Sequence, residues 1–146
     1  MLKVVLVYPQ IPPNTGNIAR TCAATNTPLH LVEPLGFEIS DRAVKRAGLD
    51  YWEYVDLHLH PDLDSLAAMP GRWVGFSARG KHHFRSFEFR PGDCLLFGSE
   101  TNGLPAEILD RHPTVYIPID HPQVRSLNIS VSVAIGLFEA RRQLML

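Results

Sequence analysis

Short apolar runs alternate with amphipathic stretches along the whole chain. Six of these runs are short and rich in apolar residues, as is typical of buried strands. The predicted strands cover residues 2–8, 29–33, 54–59, 73–77, 93–98 and 115–119. The predicted helices begin at Asn14 or Thr15 and run to about residue 26, then cover residues 41–47, 62–69, 105–111 and about 127–144. This alternation indicates an α/β fold with a mainly parallel, six-stranded sheet and helices on both faces.

The last predicted helix is apolar nearly all round from residue 129 to residue 138, so we expect other elements to cover more than one of its sides. Ser126 and Asn128 are suitable N-caps for it. A stripe of small side chains recurs at every fourth position of this helix: Ser132, Gly136 and Ala140. The stripe suits either close packing against a second helix, plausibly in a partner subunit, or a crowded core within one chain. The pattern leaves both interpretations open.

Composition and charge fit a single globular domain, residues 1–146, with 45% hydrophobic and 20% charged residues. The formal net charge of −1 argues against a broad electrostatic attraction to nucleic acid, although a local basic patch is compatible with it. Cys22 and Cys94 are far apart in sequence and form no paired motif, so we expect reduced thiols in a cytoplasmic protein. We expect no signal peptide and no membrane segment, because no apolar run is long enough.

Several common catalytic sites lack their residues in this chain. Residues 98–103 have the glycine spacing of a phosphate-binding loop, but Leu104 and Pro105 replace its lysine and hydroxyl residue. No glycine-rich dinucleotide motif follows the first strand, and Ser99 does not lie in a nucleophile elbow. The histidines lack cysteine or carboxylate neighbours at ligand spacing, so we interpret them as surface side chains rather than metal ligands: His58, His60, His82 and His83.

Two polar loops follow predicted strands in the last third of the chain. One contains residues 98–105, and the other leads into residues 126–130. Ligands of an open parallel sheet bind beyond the carboxyl ends of the strands, so both loops predict a ligand site. Gly98 favours a close approach of the ligand to the backbone because glycine has no Cβ.

The first predicted helix carries Asn17 and Arg20 on one face and Asn14 at its N-terminus. The rigid guanidinium fork suits a phosphate, so this cluster predicts an anion or RNA-backbone site. The alternative is a capping Asn14 and a solvent-exposed Arg20. Two further basic groups either follow a phosphate backbone or are merely solvated. They comprise Arg42, Lys45 and Arg46 in the second helix, and Arg79, Lys81, His82, His83 and Arg85 after the fourth strand.

Taken together, three stretches resemble the motifs of the SPOUT superfamily of RNA methyltransferases. They are IPPNTGNIAR at residues 11–20, FGSETNGLP at residues 97–105 and SLNIS at residues 126–130. The resemblance is strongest to small tRNA 2′-O-methyltransferases that act on the wobble nucleotide, for which RAGLDY at residues 46–51 is also typical. Three motifs in this order and spacing are far more specific than any one of them.

The resemblance implies a deep trefoil knot in the C-terminal part, S-adenosylmethionine bound in that knot, and a homodimer packed through the last helix. It implies that the anticodon stem-loop of tRNA is the substrate. The implied cofactor-binding residues are Phe76, Gly98, Ile117, Ser126 and Leu127. The implied catalytic residues are Arg20, supplied by the other subunit, with Asn14, Glu100, Ser126 and Asn128. No RNA-binding domain is appended, so we expect the RNA to contact Arg42, Lys45, Arg46, Arg79, Lys81 and Arg85.

The implied reaction is attack of a ribose 2′-hydroxyl on the sulfonium methyl group. Arginine stays protonated at neutral pH, so we expect Arg20 to orient the hydroxyl and the adjacent phosphate rather than to act as a simple base. Two alternatives keep part of this interpretation: a related enzyme for another tRNA position or ribosomal RNA, and a binding module without catalysis. Two departures from the family pattern are a loop one residue longer than expected between Pro118 and Ser126, and Phe138 in place of an expected tyrosine.

Overall fold

Seven strands form one sheet in the computed structural model of this protein, which describes residues 1–40, 42–47 and 49–146, apart from the side chains of residues 43, 45, 49 and 50. The strands are β1 (Lys3–Val7), β2 (Leu29–Val32), β3 (Leu57–His60), β4 (Trp73–Phe76), β5 (His82–His83), β6 (Cys94–Phe97) and β7 (Thr114–Tyr116). Their order is β3-β2-β1-β6-β4-β7-β5, and the pairings between neighbours are parallel. The predicted α/β fold with a parallel sheet is therefore confirmed.

The predicted number of six strands is wrong. The additional strand is β5, which lies at the sheet edge and pairs His82 with Val115 and His83 with Tyr116. Two residues are too few to produce a recognisable apolar alternation, so the sequence predicts only a basic loop there. The third strand also begins later than predicted, at Leu57, because Leu49–Tyr54 form a 3-10 helix.

The described residues form five α-helices: α1 (Pro12–Ala24), α2 (Arg42–Ala47), α3 (Leu63–Ala67), α4 (Ala106–Arg111) and α5 (Ile129–Gln143), which follows the last strand. Helix α1 begins two residues before Asn14, and its N-cap, Ile11, makes no side-chain capping bond. The predicted caps Asn14 and Thr15 are therefore wrong, since proline is well suited to the first helical positions. Asn128 does cap α5, because its side chain accepts a hydrogen bond from the Ser130 N–H at 2.8 Å. Residue 41, at which the second helix is predicted to begin, lies outside the described residues.

Alternate residues of the strands point to opposite faces of the sheet, and each face is covered by helices. On one face, residues such as Val4 and Leu6 pack with Ile18 of α1 and Leu137 of α5. On the other face, the core contains Val5, Val7, Leu66 of α3 and Ile108 of α4, among others. The strands between these layers are continuous apolar runs because both of their faces are buried.

The small-residue stripe of α5 faces the core of its own chain. Gly136 lies against Phe76, where a Cβ would stand 2.5 Å from Cε2 of the ring, and Ala140 is fully buried. Gly136 and Ala140 therefore pack within their own chain, as the crowded-core interpretation expects, and the contact of the stripe with a partner helix stays a prediction. A different side of α5 exposes apolar groups, since Val131 and Phe138 are 46% and 52% exposed.

Three histidines cluster on neighbouring strands, on the face covered by α3. Nδ1 of His30 lies 2.9 Å from Nε2 of His60, and the His30 and His58 rings stack 4.5 Å apart. The prediction of surface histidines is wrong for His60, which is buried. Burial lowers the pKa of His30 to about 4, with a further contribution from the neighbouring histidines. Within the described part of the chain, no group of three side chains has the arrangement of a metal site.

Cys22 and Cys94 are free and buried. Burial raises the pKa of the Cys22 thiol to about 12, so it remains protonated and unreactive. No helix among the described residues combines the length and apolar character needed to cross a membrane.

Candidate active site

A cavity of about 610 Å³ opens at the carboxyl ends of β4, β6 and β7. Loops that follow these three strands form most of its wall, and the start of α1 and the first turn of α5 complete it. This is the edge at which parallel sheets bind ligands, and the volume lies within the range of small-molecule sites. The two polar loops predicted from the sequence are therefore brought together around one cavity.

The loop after β6 folds back tightly on the end of its own strand. The Gly103 N–H donates to the Ser99 carbonyl oxygen at 2.9 Å, and the Asn102 N–H donates to Ser99 Oγ at 3.1 Å. A Cβ at Gly98 would overlap the backbone of Gly103, so only glycine permits this approach. Gly103 itself has a φ of +68°, a conformation that favours glycine. These contacts give the loop a fixed shape on the cavity wall.

Glu100 joins this loop to the N-terminus of α1. Its Oε1 accepts a hydrogen bond from the Gln10 N–H at 2.9 Å, and its Oε2 accepts one from the Ile11 N–H at 2.7 Å. The partial positive charge of a helix N-terminus further favours a carboxylate at this position. Glu100 therefore supplies the negative group that the side chain of Ile11 does not provide.

Asn14 connects Glu100 to the last of the three motifs. Its Nδ2 donates to Glu100 Oε2 at 3.3 Å, and its Oδ1 accepts from Asn128 Nδ2 at 3.2 Å. Asn128 Oδ1 in turn accepts from the N–H and the hydroxyl of Ser130. One chain of hydrogen bonds thus links the three sequence motifs along one side of the cavity.

Gln10 is a site residue that the sequence interpretation missed. Its Oε1 accepts hydrogen bonds from the N–H and the hydroxyl of Thr101, at 3.1 Å and 2.7 Å. Its own N–H donates to Glu100, so the two loops hold each other from both sides. Its position just before the first motif is the only signal that the sequence offers for this role.

One wall of the cavity is apolar. Phe76 stacks on Phe97 with the ring centroids 4.6 Å apart, and Gly136 of α5 leaves the space that the Phe76 ring occupies. Leu104 and Ile117 extend the apolar wall. An apolar floor beside exposed loop backbone suits a ligand that combines a flat ring with polar groups.

The residues predicted to bind a cofactor all lie on the cavity wall: Phe76, Gly98, Ile117, Ser126 and Leu127. Asn14, Glu100 and Asn128 lie there too, whereas Arg20 is not among the lining residues. Arg20 is exposed on α1, and its guanidinium carbon lies 4.7 Å from the centroid of the Tyr51 ring. The roles of all these residues stay predictions.

Of the basic residues predicted to bind RNA, Arg79 lies on the cavity wall. Arg42 and Arg46 are exposed on α2, and Lys81 and Arg85 are exposed in the loop around β5. The side chain of Lys45 lies outside the described residues. The sequence interpretation missed Arg125, which also lines the cavity and immediately precedes the third motif. Its positive charge immediately before the third motif was the feature of the sequence that could have identified it as a site residue.

Comparison with known proteins identifies the family of this chain. Residues 1–138 match the family model described as the SpoU rRNA Methylase family. This chain belongs to the SpoU rRNA methylase family. The resemblance to SPOUT methyltransferases seen in the three motifs is thereby confirmed. The cavity lies where these three SpoU motifs meet.

Individual SpoU relatives match almost the whole of this chain, and two of the three described here are matched over almost their own whole length as well. The tRNA (cytidine(34)-2′-O)-methyltransferase of Burkholderia ambifaria is 49% identical over 150 aligned positions, which cover 98% of this chain and 96% of that protein. A structure from work on the 2-OH methylation of C/U34 on tRNA has a TM-score of 0.96 and 53% identity, covering 99% of this chain and 97% of its own. The AdoMet-bound rRNA methyltransferase of Sinorhizobium meliloti has a TM-score of 0.87 and 26% identity, covering 98% of this chain and 56% of that one.

Proposed function

We propose that this protein is an S-adenosylmethionine-dependent tRNA methyltransferase that methylates the ribose 2′-hydroxyl of the wobble nucleotide, a cytidine or a modified uridine. The observation that carries the proposal is the convergence of the three motifs on one cavity through Glu100, Asn14 and Asn128. Relatives that are about 50% identical over nearly the full chain are named for methylation of the 2′-hydroxyl of tRNA nucleotide 34, which supports the choice of substrate.

The cavity fits S-adenosylmethionine in size and chemistry. The tight turn at Gly98, which a Cβ would block, brings loop backbone to the cavity wall, and Phe76, Leu104 and Ile117 supply an apolar surface for the adenine ring. We assign the remaining contacts to Ser126 and Leu127. When bound, the cofactor supplies a methyl group on a positively charged sulfur, which an oxygen nucleophile attacks.

Arg20 would act in the cavity of a second subunit. It lies six residues beyond Asn14 along α1, which places its Cα about 9 Å further along the helix axis. A homodimer packed through α5 accounts for the exposed Val131 and Phe138 and brings an Arg20 to each cavity. Two N–H groups of its planar guanidinium can donate hydrogen bonds side by side to the phosphate next to the target ribose.

In this arrangement, the main contribution of the protein is to position the ribose hydroxyl and the phosphate, rather than to supply a base that removes the hydroxyl proton. Arg20 remains protonated and orients the hydroxyl and the phosphate. Both ends of the Asn14 amide already hold partners, so Asn14 fixes the loops rather than the nucleophile. Ser126, exposed at the cavity, is free to contact the incoming ribose. The proton of the hydroxyl passes to the substrate phosphate or a neighbouring group. Correct alignment at about 3 Å supplies much of the rate.

We further propose that the 146 residues act as one domain, that its C-terminal part is threaded as a deep trefoil knot, and that it works in the cytoplasm. The resemblance of the three motifs to the SPOUT superfamily supports the knot, which ordinary connection rules would not predict. The tRNA substrate and the two free thiols support the compartment.

Transfer of labelled methyl from S-adenosylmethionine to unmodified tRNA, followed by nucleoside mapping, tests this function. We expect label on the wobble ribose with the wild type and at least a hundredfold slower transfer with Arg20→Ala, a loss of about 3 kcal/mol of transition-state stabilisation. Label at another position would shift the substrate to a second tRNA site or to ribosomal RNA. Cofactor binding without any label would indicate a binding module instead.

A further inference from the structure

The surface around Arg20 contains an aromatic partner that the proposed reaction has not used. The Arg20 guanidinium carbon lies 4.7 Å from the centroid of the Tyr51 ring, within the range of a cation–π contact. Among the described residues, Arg20 forms no ion pair with a carboxylate. The contact that the described residues give its guanidinium is therefore with an aromatic ring.

Tyr54 extends this aromatic surface. Tyr51 and Tyr54 are three residues apart in a 3-10 helix, which has three residues per turn, so their side chains leave the helix on the same side. The two side chains are 40% and 67% exposed. Trp52 and Val55, which alternate with them, pack on the hydrophobic core and anchor the segment. The core thus holds the two exposed rings in place beside α1.

An exposed guanidinium next to exposed aromatic rings is suited to single-stranded nucleic acid. Aromatic rings stack on unpaired bases, and arginine attracts the phosphates. Arg42 and Arg46 of the adjacent helix α2, which packs against α1, add further exposed positive charge. With Arg20, these positive charges outnumber the exposed carboxylate of Glu53 between the two tyrosines, which favours RNA over a second copy of this chain as the occupant.

We infer that Arg20, Tyr51 and Tyr54 form a stacking surface that holds an unpaired base of the substrate loop beside the target ribose. In this arrangement, Tyr51 is a positioning residue for Arg20, and Tyr54 contacts the base. The inference rests on the proposed function, in which Arg20 lies at the reacting ribose. It adds a reason why the wobble nucleotide, which lies in a single-stranded loop, is accessible to this surface.

Two pairs of variants test the stacking surface: Tyr54→Ala against Tyr54→Phe, and Tyr51→Leu against Tyr51→Phe. The readouts are the Kd of a fluorescent anticodon stem-loop, and kcat and KM for methyl transfer. Removal of the Tyr54 ring should raise the Kd and KM for RNA about tenfold, as loss of one stacked base does, and leave the KM for S-adenosylmethionine unchanged. Tyr51→Leu should mainly lower kcat. Each phenylalanine variant should recover most of the loss, and Leu59→Ala, which alters another exposed side chain, should match the wild type.

Two outcomes would overturn the inference. One is that Tyr54→Ala and Tyr51→Leu keep the wild-type Kd and kcat while the wild-type enzyme methylates the stem-loop. In that case the proposed function stands and the stacking surface does not. The other is a shift of Tyr54→Ala to a lower oligomeric state in size-exclusion chromatography, which would assign the surface to a subunit contact. Weaker RNA binding by the variants without methylation by the wild type would instead support the surface and refute the proposed function.

Discussion

Glu100 shows how a single side chain can belong to a catalytic motif and still act structurally. Both of its carboxylate oxygens accept hydrogen bonds from the backbone that leads into α1, and one also accepts from Asn14. A carboxylate in these contacts is a poor candidate for the base that removes the ribose proton, because three of its about four lone-pair sites already accept hydrogen bonds. Its function is to hold the loop after β6 against the start of α1.

Substitution Glu100→Gln should therefore lower stability as well as activity. An amide cannot accept hydrogen bonds at both positions, so one backbone N–H loses its charged partner, at a cost of about 1–3 kcal/mol. Urea unfolding measures this loss. Glu88→Gln is the matched control, because Glu88 is an exposed carboxylate whose side chain has no hydrogen bond among the described residues. A stable Glu100→Gln protein with abolished methyl transfer would point to a direct chemical role.

The contacts of Glu100 also mark where prediction from sequence ends at the residue scale. The motifs locate Glu100, Asn14 and Asn128 at one site, because their spacing is specific. The hydrogen bond from the Gln10 N–H to Glu100 joins residues 90 positions apart, and no periodicity reports such a pairing. Gln10 was missed for this reason.

At the scale of elements, strands that are buried on both faces were predictable, since their apolar runs are continuous. The sequence did not reveal β5, which consists of two histidines at the sheet edge. It also misplaced the start of α1, because Asn14 and Thr15 are good caps in isolation, whereas the helix begins at Pro12 and Glu100 of a distant loop binds the N–H groups just before it. Local propensity fails where a tertiary contact provides the partner.

The histidine cluster links β2 to β3 and should make the fold sensitive to acid. The pKa of His30 falls from its usual 6.5 to about 4, through burial and through the charges of His58, His60 and Lys3, while Asp56 acts in the opposite direction. The unfolded chain therefore binds more protons between these two pH values. Its free energy of unfolding falls as the pH drops through this window and is fully retained above it.

Lowering the pH from about 7 to about 5 should remove up to about 2 kcal/mol of the stability that His30 contributes. Urea unfolding at both pH values measures the change. His30→Asn keeps a polar partner for His60 Nε2 without titrating in this range, so the variant should lose the share of the pH dependence that His30 contributes. A smaller dependence of the same sign should remain, because burial also lowers the pKa values of His60 and His112. An equal pH dependence in wild type and His30→Asn would assign the effect to other groups.

At the scale of the whole molecule, the cavity and Arg20 lie on different parts of the surface of one chain. The loops after β4, β6 and β7 build the cavity, whereas Arg20 lies further along α1 and contacts Tyr51. A second copy resolves this separation if each cavity receives the other subunit's Arg20. The exposed apolar side of α5, with Val131 and Phe138, offers the surface on which the copies would pack.

The most direct test of this account is the activity of heterodimers that contain one Arg20→Ala subunit and one Asn128→Ala subunit, purified through two different affinity tags. Each homodimer should be inactive, because both of its sites carry a defect. The heterodimer contains one site with both defects and one intact site, so it should recover up to half of the wild-type transfer of methyl to the wobble ribose. A heterodimer as inactive as its two parents would contradict the shared site.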